Sequence, residues 1–241
     1  MIKEYDLGLF ENGLKELGLS LSEEQKKKFI TYYEMLIQWN SVMNLTAITE
    51  FQDVVQKHFL DSLSLVRACE LSDQSLIDIG TGAGFPGIPL KIAFPKLQIT
   101  LLDSLNKRVQ FLDAVIQELH LDKINTVHGR AEDFAKQAEY REGFDLCVSR
   151  AVSNMTTLSE YCLPYVKVGG AFISYKSERL TQELEAAAHA IFILGGSVQD
   201  QIEFHLPGSD IYRNLLVIKK DSSTPKKYPR KAGVPSKSPI S

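Results

Sequence analysis

One glycine-rich segment, DIGTGAGFPG at residues 78–87, limits the folds open to this chain more than any other feature. It lies between the apolar run LIDI at 76–79 and the helical pattern GIPLKIAF. Glycines at a strand-to-helix turn can adopt positive φ and let the backbone approach a ligand without a Cβ in the way. In an open parallel sheet, ligands bind beyond the carboxyl ends of the strands. The segment therefore predicts the first turn of an α/β domain, beside a nucleotide-like pocket.

Short apolar runs alternate with helical stretches from residue 75 onward, which is typical of βαβ units and a mostly parallel sheet. Strands buried on both faces of such a sheet should be apolar throughout, and LIDI and ITLL follow that rule. Gly169 and Gly170 are predicted to form a turn, and an Ala-rich helix is predicted at 178–194. We predict seven strands, at 76–79, 98–103, 124–128, 144–150, 171–176 and near 197–205 and 212–219.

The first 70 residues follow a helical periodicity instead. Apolar residues recur at spacings of three and four, on one helical face, at Leu7, Phe10, Leu14 and Leu17. Capping boxes, SEEQ at 22–25 and TEFQ at 49–52, are predicted to open two further helices. Trp39 and His58 are expected to pack within this region. No linker rich in Pro and Gly follows, so this region is predicted to pack on the sheet domain as a helical cap. We therefore divide the chain into the helical cap at 1–70, a sheet domain at 71–220 and a tail at 221–241.

The formal net charge of -3 conceals an uneven distribution. Residues 219–241 carry seven basic residues and one acidic residue, and four of the nine prolines lie there as well. The rest of the chain is therefore acidic. A basic, Pro-rich terminus can contact a polyanion, or it can be a disordered, solubilising tail. Charge alone leaves both interpretations open.

Composition and cysteine usage exclude several classes of protein. Hydrophobic residues make up 44% and charged residues 24%, which is ordinary globular usage and not that of a disordered or coiled-coil chain. No apolar run approaches the roughly 20 residues needed to span a bilayer, and the first ten residues lack a signal pattern. Cys69, Cys147 and Cys162 form no C-x-x-C pair, and the histidines have no ligand spacing. We expect a cytoplasmic protein without a metal site, with Cys147 and Cys162 in the core.

A second acid at the next strand end strengthens the pocket prediction. Asp103 ends the second predicted strand, 23 residues after Gly80, where it can accept hydrogen bonds from ribose hydroxyls. The glycines also satisfy the dinucleotide pattern G-x-G-x-x-G, which by itself is a weak match. A pyrophosphate needs free amides at the helix start, and Pro86 and Pro89 remove amides there. A nicotinamide or flavin enzyme is therefore the less favoured alternative.

The carboxylate of Asp78 favours a positively charged ligand instead. It would repel a pyrophosphate but suits the amine and sulfonium of S-adenosylmethionine. The pattern Asp-x-Gly-x-Gly-x-Gly resembles the first motif of Rossmann-like methyltransferases, and the two final strands resemble the seven-stranded sheet of that superfamily. We therefore predict an α/β, Rossmann-like S-adenosylmethionine-dependent methyltransferase fold, with a seven-stranded mostly parallel sheet and an N-terminal helical cap.

Motifs that are absent from the sequence limit the chemical groups that could accept the methyl group. Amino-group methylases carry Asn/Asp-Pro-Pro-Tyr after the fourth strand, whereas this strand ends Ser149-Arg150-Ala151. Pyrimidine carbon methylases need a cysteine nucleophile, and none of the three cysteines lies in a Pro-Cys or Thr-Cys context. A ring nitrogen such as the guanine 7-position carries no proton to remove, so alignment can supply most of the rate. The sequence is consistent with that acceptor without proving it.

Seven segments in matching order resemble the 16S ribosomal RNA guanine-7 methyltransferase family, also called glucose-inhibited division protein B. They cover nearly the whole chain: WNSVMNLTAIT at 39–49, KHFLDSL at 57–63, DIGTGAGFPGIPL at 78–90, LLDSLNKRVQFL at 101–112, GRAED at 129–133, SRAV at 149–152 and TPKKYPRKAGVPSK at 224–237. The resemblance implies methyl transfer from S-adenosylmethionine to the 7-position of one guanine in 16S ribosomal RNA. Ala232 departs from a Pro that is frequent in the family.

The same resemblance implies a set of cofactor residues. The glycine-rich segment would bind S-adenosylmethionine, Asp103 would hold its ribose, Ala131 and Glu132 would flank its adenine, and Arg150 would complete the pocket. The full predicted cofactor set is Asp78, Gly80, Gly82, Phe85, Asp103, Ala131, Glu132 and Arg150. No catalytic side chain and no metal ligand is predicted. The expected partner is 16S ribosomal RNA or the small ribosomal subunit, with no membrane partner, and the expected state is a monomer.

Basic residues give a second set of predictions, for RNA contact. Phosphates are bound by Lys and Arg without reading sequence. The candidates are Lys176, Arg213, Lys226, Lys227, Arg230 and Lys231. Tyr228 is expected to stack on an exposed base, and the tail is expected to be disordered until RNA binds. Two other functions stay open, an RNA-binding ribosome assembly factor with an inactive cofactor pocket and a methyltransferase acting on a small molecule.

Overall fold

A computed structural model describes residues 5–150, 153–177 and 180–240. Parts of two predictions lie outside these ranges: the end of the SRAV segment at 151–152, and the first residues of the Ala-rich helix at 178–179. Among the described residues, no helix combines the length and the apolar character needed to cross a membrane.

A mixed β-sheet forms the centre of the molecule. In the described ranges its strands are β1 (Ser75–Ile79), β2 (Gln98–Asp103), β3 (Ile124–His128), β4 (Phe144–Arg150), β5 (Val166–Lys176), β6 (Gly196–His205) and β7 (Tyr212–Lys220). Their order is β3-β2-β1-β4-β5-β7-β6, and only β7 runs against its neighbours. The predicted α/β class and the seven-stranded, mostly parallel sheet are confirmed.

Helices cover both faces of the sheet, which explains the apolar strands. They are α5 (Gly87–Ala93), α6 (Asn106–Glu118), α7 (Ala131–Phe134), α8 (Met155–Cys162) and α9 (Thr181–Ile193), and a 3-10 turn, Leu163–Tyr165, follows α8. Alternate residues of β1 enter different clusters, Leu76 on one face and Ile77 and Ile79 on the other. Cys147 and Cys162 are fully buried, as predicted.

The fifth strand begins earlier than predicted. Gly169 and Gly170 lie inside β5, so the prediction of a turn there is wrong. Gly169 has φ of +92°, and a Cβ on Gly170 would clash with the main-chain oxygen of Asp145. The pairing register with β4 also shifts between Phe144 and Leu146. The glycines therefore accommodate an irregularity in a continuous strand.

The N-terminal cap consists of helices that pack on the sheet domain through one shared core. Its elements are α1 (Gly8–Glu16), α2 (Glu23–Met43), α3 (Phe51–Val54), a π-helical segment Val55–Leu60, α4 (Asp61–Leu63) and a 3-10 turn Ser64–Arg67. The capping box at Ser22 is present at the start of α2. The second predicted box is wrong, because α3 has Glu50 as its N-cap residue and no side-chain cap.

The tail is ordered against the sheet domain, which corrects the expectation that it is disordered before RNA binds. Tyr228, Pro235 and Ile240 are buried, and a short helix, α10 (Val234–Lys237), follows Gly233. Lys220, counted with the basic terminus by sequence, ends β7 fully buried and donates to the main-chain oxygens of Leu163 and Leu194. The basic segment is therefore folded along most of its length.

Candidate active site

The glycine-rich turn after β1 is shaped by the carboxylate of Asp78, which lies beneath it. Asp78 Oδ2 accepts hydrogen bonds from Thr81 Oγ1 (2.7 Å) and from the main-chain N–H of Gly87 (2.9 Å). Asp78 Oδ1 is buried without a hydrogen-bond partner among the described residues. Burial raises the pKa of Asp78 to about 7. The glycines at 80, 82 and 84 all have positive φ, and a Cβ on Gly84 would clash with neighbouring side chains.

Asp103 connects the turn to the end of β2. Its Oδ2 accepts from the main-chain N–H of Gly82 at 2.9 Å and from Arg108 Nη1 at 3.3 Å, and its Oδ1 accepts from the N–H of Leu105 at 2.9 Å. A carboxylate offers about four acceptor sites, so Oδ1 keeps capacity for a ligand hydroxyl. Arg108, in the first turn of α6, is thus a partner of Asp103.

A cleft of about 270 Å³ opens at the carboxyl ends of β1 to β4, and we call it the glycine cleft. It brings together five of the predicted cofactor residues: Gly80, Asp103, Ala131, Glu132 and Arg150. The other three predicted cofactor residues, Asp78, Gly82 and Phe85, lie behind or beside the residues that line the glycine cleft. Tyr161, which sequence reasoning did not single out, also lines the glycine cleft.

Arg150, at the end of β4, lines the glycine cleft and a second, larger cleft. Its Nη1 donates to Asp61 Oδ2 at 3.0 Å and to the main-chain oxygen of Lys57 at 3.1 Å, and its Nη2 lies 3.2 Å from His58 Nδ1. The guanidinium also lies over the ring of Phe85, 5.2 Å from its centroid. Contacts with the cap therefore hold Arg150 at the boundary between the two clefts.

His58 stacks on Phe85, with ring centroids 4.4 Å apart. His58 Nδ1 lies 3.2 Å from Arg150 Nη2 and 3.0 Å from the main-chain oxygen of Lys57, and its Nε2 lies 3.0 Å from Thr46 Oγ1. Burial, with the charge of Arg150 as a second cause, lowers the pKa of His58 to about 3. His58 packs within the cap as predicted, but it also lines the second cleft, a role that sequence reasoning missed.

The second cleft has a volume of about 480 Å³ and lies between the cap and the ends of β4 and β5, so we call it the cap cleft. Four basic side chains line the cap cleft, those of Lys57, Arg150, Lys176 and Arg213. Two acidic side chains, those of Asp61 and Glu183, line it as well. Asp61, buried and also missed by sequence reasoning, accepts from Arg213 Nε at 3.0 Å as well as from Arg150. Lys176 Nζ contacts Glu183 at 2.7 Å and the main-chain oxygen of Ser153 at 3.1 Å.

The predicted RNA contacts in the tail fall into two groups. Lys226, Lys227 and Lys231 are exposed, as an RNA contact requires. Arg230 instead forms a bidentate ion pair with the buried Glu160, and Tyr228 is buried, so the expected base stacking by Tyr228 is wrong. These two side chains are used to fasten the tail to the sheet domain.

The cavity chemistry gives no support for a metal site. In the described part of the chain, no group of three or more His, Cys, Asp or Glu side chains is arranged to hold a metal ion. What the glycine cleft offers instead is close backbone approach, a carboxylate with spare acceptor capacity and a buried acid below the turn. This donor set fits a nucleoside that carries a positive charge.

Comparisons with known proteins agree with these features. A family model described as rRNA small subunit methyltransferase G matches residues 25–212. A protein of Lachnoclostridium phytofermentans named Ribosomal RNA small subunit methyltransferase G is 53% identical over 236 residues, covering 98% of both chains. One of the same name from Alkaliphilus metalliredigens is 53% identical and covers 96% of this chain and 98% of its own. A SAM dependent methyltransferase from Aquifex aeolicus shares the fold, with a TM-score of 0.52 and 14% identity over 73% of this chain and 96% of its own.

Proposed function

The chain belongs to the rRNA small subunit methyltransferase G family, and we propose that it transfers a methyl group from S-adenosylmethionine to the 7-position of a guanine in 16S ribosomal RNA. The single observation that carries the proposal is the junction at Arg150, where a nucleoside-sized cleft meets a basic cleft. A methyl donor in the glycine cleft and a nucleotide in the cap cleft would lie on opposite sides of the Arg150 side chain.

The glycine cleft fits S-adenosylmethionine. Asp103 Oδ1 retains acceptor capacity for a ribose hydroxyl, and Ala131 and Glu132 lie at the end of β3, where the adenine is expected. Gly80 and Gly82 permit close approach of the backbone. When bound, S-adenosylmethionine supplies an electrophilic methyl group on a sulfonium. The predicted cofactor residues thus have a consistent role, with Asp78 acting through the shape of the turn.

The cap cleft fits a nucleotide. Lys57, Lys176 and Arg213 supply cationic groups of the kind that bind phosphates, so two of the predicted RNA contacts, Lys176 and Arg213, lie where the target nucleotide would enter. Asp61 holds both Arg150 and Arg213, which orients their guanidinium groups before any ligand arrives. The volume of the cap cleft, about 480 Å³, lies in the range usual for small-molecule sites.

The titration of His58 agrees with a guanine 7-position as acceptor. Because burial and the nearby charge of Arg150 lower its pKa to about 3, His58 is unsuited to act as a general base at neutral pH. A guanine N7 attacks with its own lone pair: the N–C bond forms, the S–C bond breaks with its electrons remaining on sulfur, and no proton moves. Alignment of donor and acceptor is then the main task of the residues around Arg150.

The test is methyl transfer to defined RNAs. Small ribosomal subunits and bare 16S RNA from cells lacking this protein are incubated with methyl-labelled S-adenosylmethionine, and the methylated base is mapped by mass spectrometry. We expect one guanine to become labelled at the 7-position, and the comparison identifies the preferred substrate. Absence of label in guanine from every RNA would contradict the proposal. A protein that binds subunits but shows no heat of binding with S-adenosylmethionine would instead be an assembly factor with an inactive pocket.

A further inference from the structure

The basic tail returns to the body of the protein and is fastened there by an arginine of the sheet domain. Arg141, in the segment before β4, donates through Nη2 to the main-chain oxygen of Thr224 at 2.7 Å and through Nη1 to that of Tyr228 at 2.9 Å. Glu142 Oε1 accepts from the N–H of Thr224 at 2.7 Å. These contacts fix the path of the tail before it reaches the glycine cleft.

A buried ion pair then fixes the tail on α8. Glu160, which is fully buried, accepts from the main-chain N–H of Arg230 at 2.8 Å, from its Nε at 3.0 Å and from its Nη2 at 2.6 Å. A buried carboxylate left without its partner is strongly destabilised, so this pair ties α8 to the tail. Three residues further on, the chain reaches the outer side of α7.

At that point the tail contacts the wall of the glycine cleft. The N–H of Gly233 donates to Glu132 Oε1 at 2.8 Å, and Gly233 has φ of +81°, a conformation that favours glycine. On α8, the helix that carries Tyr161, Thr157 Oγ1 donates to the main-chain oxygen of Pro235 at 3.2 Å. Glu132 and Tyr161 both line the glycine cleft, so residues 233–235 contact one of these side chains directly and the helix of the other.

We propose that the C-terminal segment 230–237 is a structural wall of the cofactor pocket, and that the Gly233 N–H is a positioning group that orients Glu132 toward the adenine. This inference rests on the proposed function, since it takes S-adenosylmethionine as the ligand of the glycine cleft. It gives the tail a second role besides offering exposed lysines to RNA: the segment that meets the RNA also determines how tightly the methyl donor is held.

The experiment measures S-adenosylmethionine affinity by calorimetry in the absence of RNA. A chain ending at Lys231 keeps the Arg230 ion pair but loses the Gly233 N–H behind Glu132 and the contact of Pro235 with α8. We expect its affinity to fall about tenfold. A second variant, Gly233→Ala, keeps the full tail and displaces only the N–H, because a side chain strains a backbone at this φ although nothing lies within 4 Å of the new Cβ. We expect a loss in the same direction, of roughly threefold.

A double-mutant cycle separates positioning from general destabilisation. If the tail acts largely through Glu132, shortening the chain in a Glu132→Ala background should change the affinity less than twofold. An equal loss in both backgrounds, or no loss in the shortened chain, would overturn the inference. Ser238→Ala, an exposed change directly after the segment 230–237, is the control and should bind like the wild type.

The outcome also distinguishes this inference from the proposed function. If the full chain binds S-adenosylmethionine and methylates no guanine, the proposed function fails while the tail effect can still be measured. If the full chain does not bind S-adenosylmethionine at all, both fail. If guanine methylation occurs and the shortened chain binds the cofactor normally, only the wall role of the tail is overturned.

Discussion

The glycine cleft and the cap cleft are neighbours that share Arg150, but the residues around them are arranged very differently along the chain. The glycine cleft is built from short segments that directly follow the first four strands of the sheet. The cap cleft combines residues 48–61 of the cap, the segment after β4, the end of β5 and the start of β7. One cleft is a consequence of the α/β topology, and the other exists only because the cap packs over it.

That difference implies different sensitivities to substitution. A residue of the glycine cleft lies at or near the end of a strand, so its loss should affect cofactor binding directly. A residue of the cap cleft is oriented by partners far away in sequence, as Asp61 is by Arg150 and Arg213. Substitution of such a residue should change RNA binding and leave cofactor binding unaltered. The two clefts should therefore be separable by mutation, except at Arg150.

Asp103→Ala should have the largest effect. It removes the acceptor for the N–H groups of Gly82 and Leu105 as well as the proposed ribose contact. Hydrogen bonds to charged groups contribute about 1.5–3 kcal/mol each, so we expect S-adenosylmethionine affinity to fall at least about a hundredfold. Calorimetry measures the affinity, and a filter-binding assay measures RNA affinity, which should change little.

Asp122→Ala is the matched control for that experiment. Asp122 is exposed just before β3, at the opposite end of the strands, so the same change of side chain should leave cofactor affinity unaltered. If Asp103→Ala weakened RNA and cofactor binding equally, the two clefts would not be separable and the comparison between them would be wrong.

Much of the glycine cleft was predictable because its residues follow from local pattern. The strand ends at Asp103, His128 and Arg150 were predicted at the positions where the structure has them, and parallel strands bring their carboxyl ends to one edge. Local pattern failed to predict which way a side chain would face. The carboxylate of Asp78 was expected to face the ligand, yet it accepts from Thr81 and Gly87 beneath the turn.

The cap cleft was largely invisible to sequence reasoning because its contacts join residues that are far apart in the chain. His58 and Asp61 lie in the KHFLDSL segment, which was recognised by resemblance but gave no sign that it would contact a strand end about 90 residues away. The tail shows the opposite error: its charge predicted disorder, whereas Arg141 and Glu160 fix it in place. Charge and periodicity do not report which distant partner will neutralise a basic side chain.

A pH experiment tests whether the cap holds His58 as a neutral side chain. Its folded pKa of about 3 lies below its ordinary value of 6.5, so the folded state binds fewer protons and stability is lost as pH falls below 6.5. His58→Gln should therefore cost more stability at pH 6.5 than at pH 5, by about 2 kcal/mol for 1.5 pH units. Urea unfolding at the two pH values gives the difference.

The stability of the His58→Gln variant has to be compared with that of the wild type at each pH, because the titration of Asp78 changes stability in the opposite direction. Its raised pKa of about 7 makes stability fall as pH rises from 3.8 to 7, which partly masks the effect of His58 in the wild type. Asp78 is present in both proteins and cancels in the difference. His189→Gln, the same change of side chain at an exposed position of α9, is the matched control. A difference near zero for His58→Gln would mean that the cap leaves His58 free to protonate.

Lys176→Ala should have the smallest effect and should separate the clefts most cleanly. Lys176 contacts Glu183, which is exposed enough to be solvated without it, so we expect no large loss of stability. If Lys176 binds a phosphate, RNA affinity should fall about tenfold, and the slope of log affinity against log salt should decrease by about one. Lys96→Ala removes the same charge from an exposed position before β2, at the other end of the strands, and is the matched control. An equal, small loss in both variants would mean that net charge alone attracts the RNA. A loss confined to Lys176→Ala, with cofactor affinity unchanged, would mean that the packing of the cap against the sheet creates a specific nucleotide site.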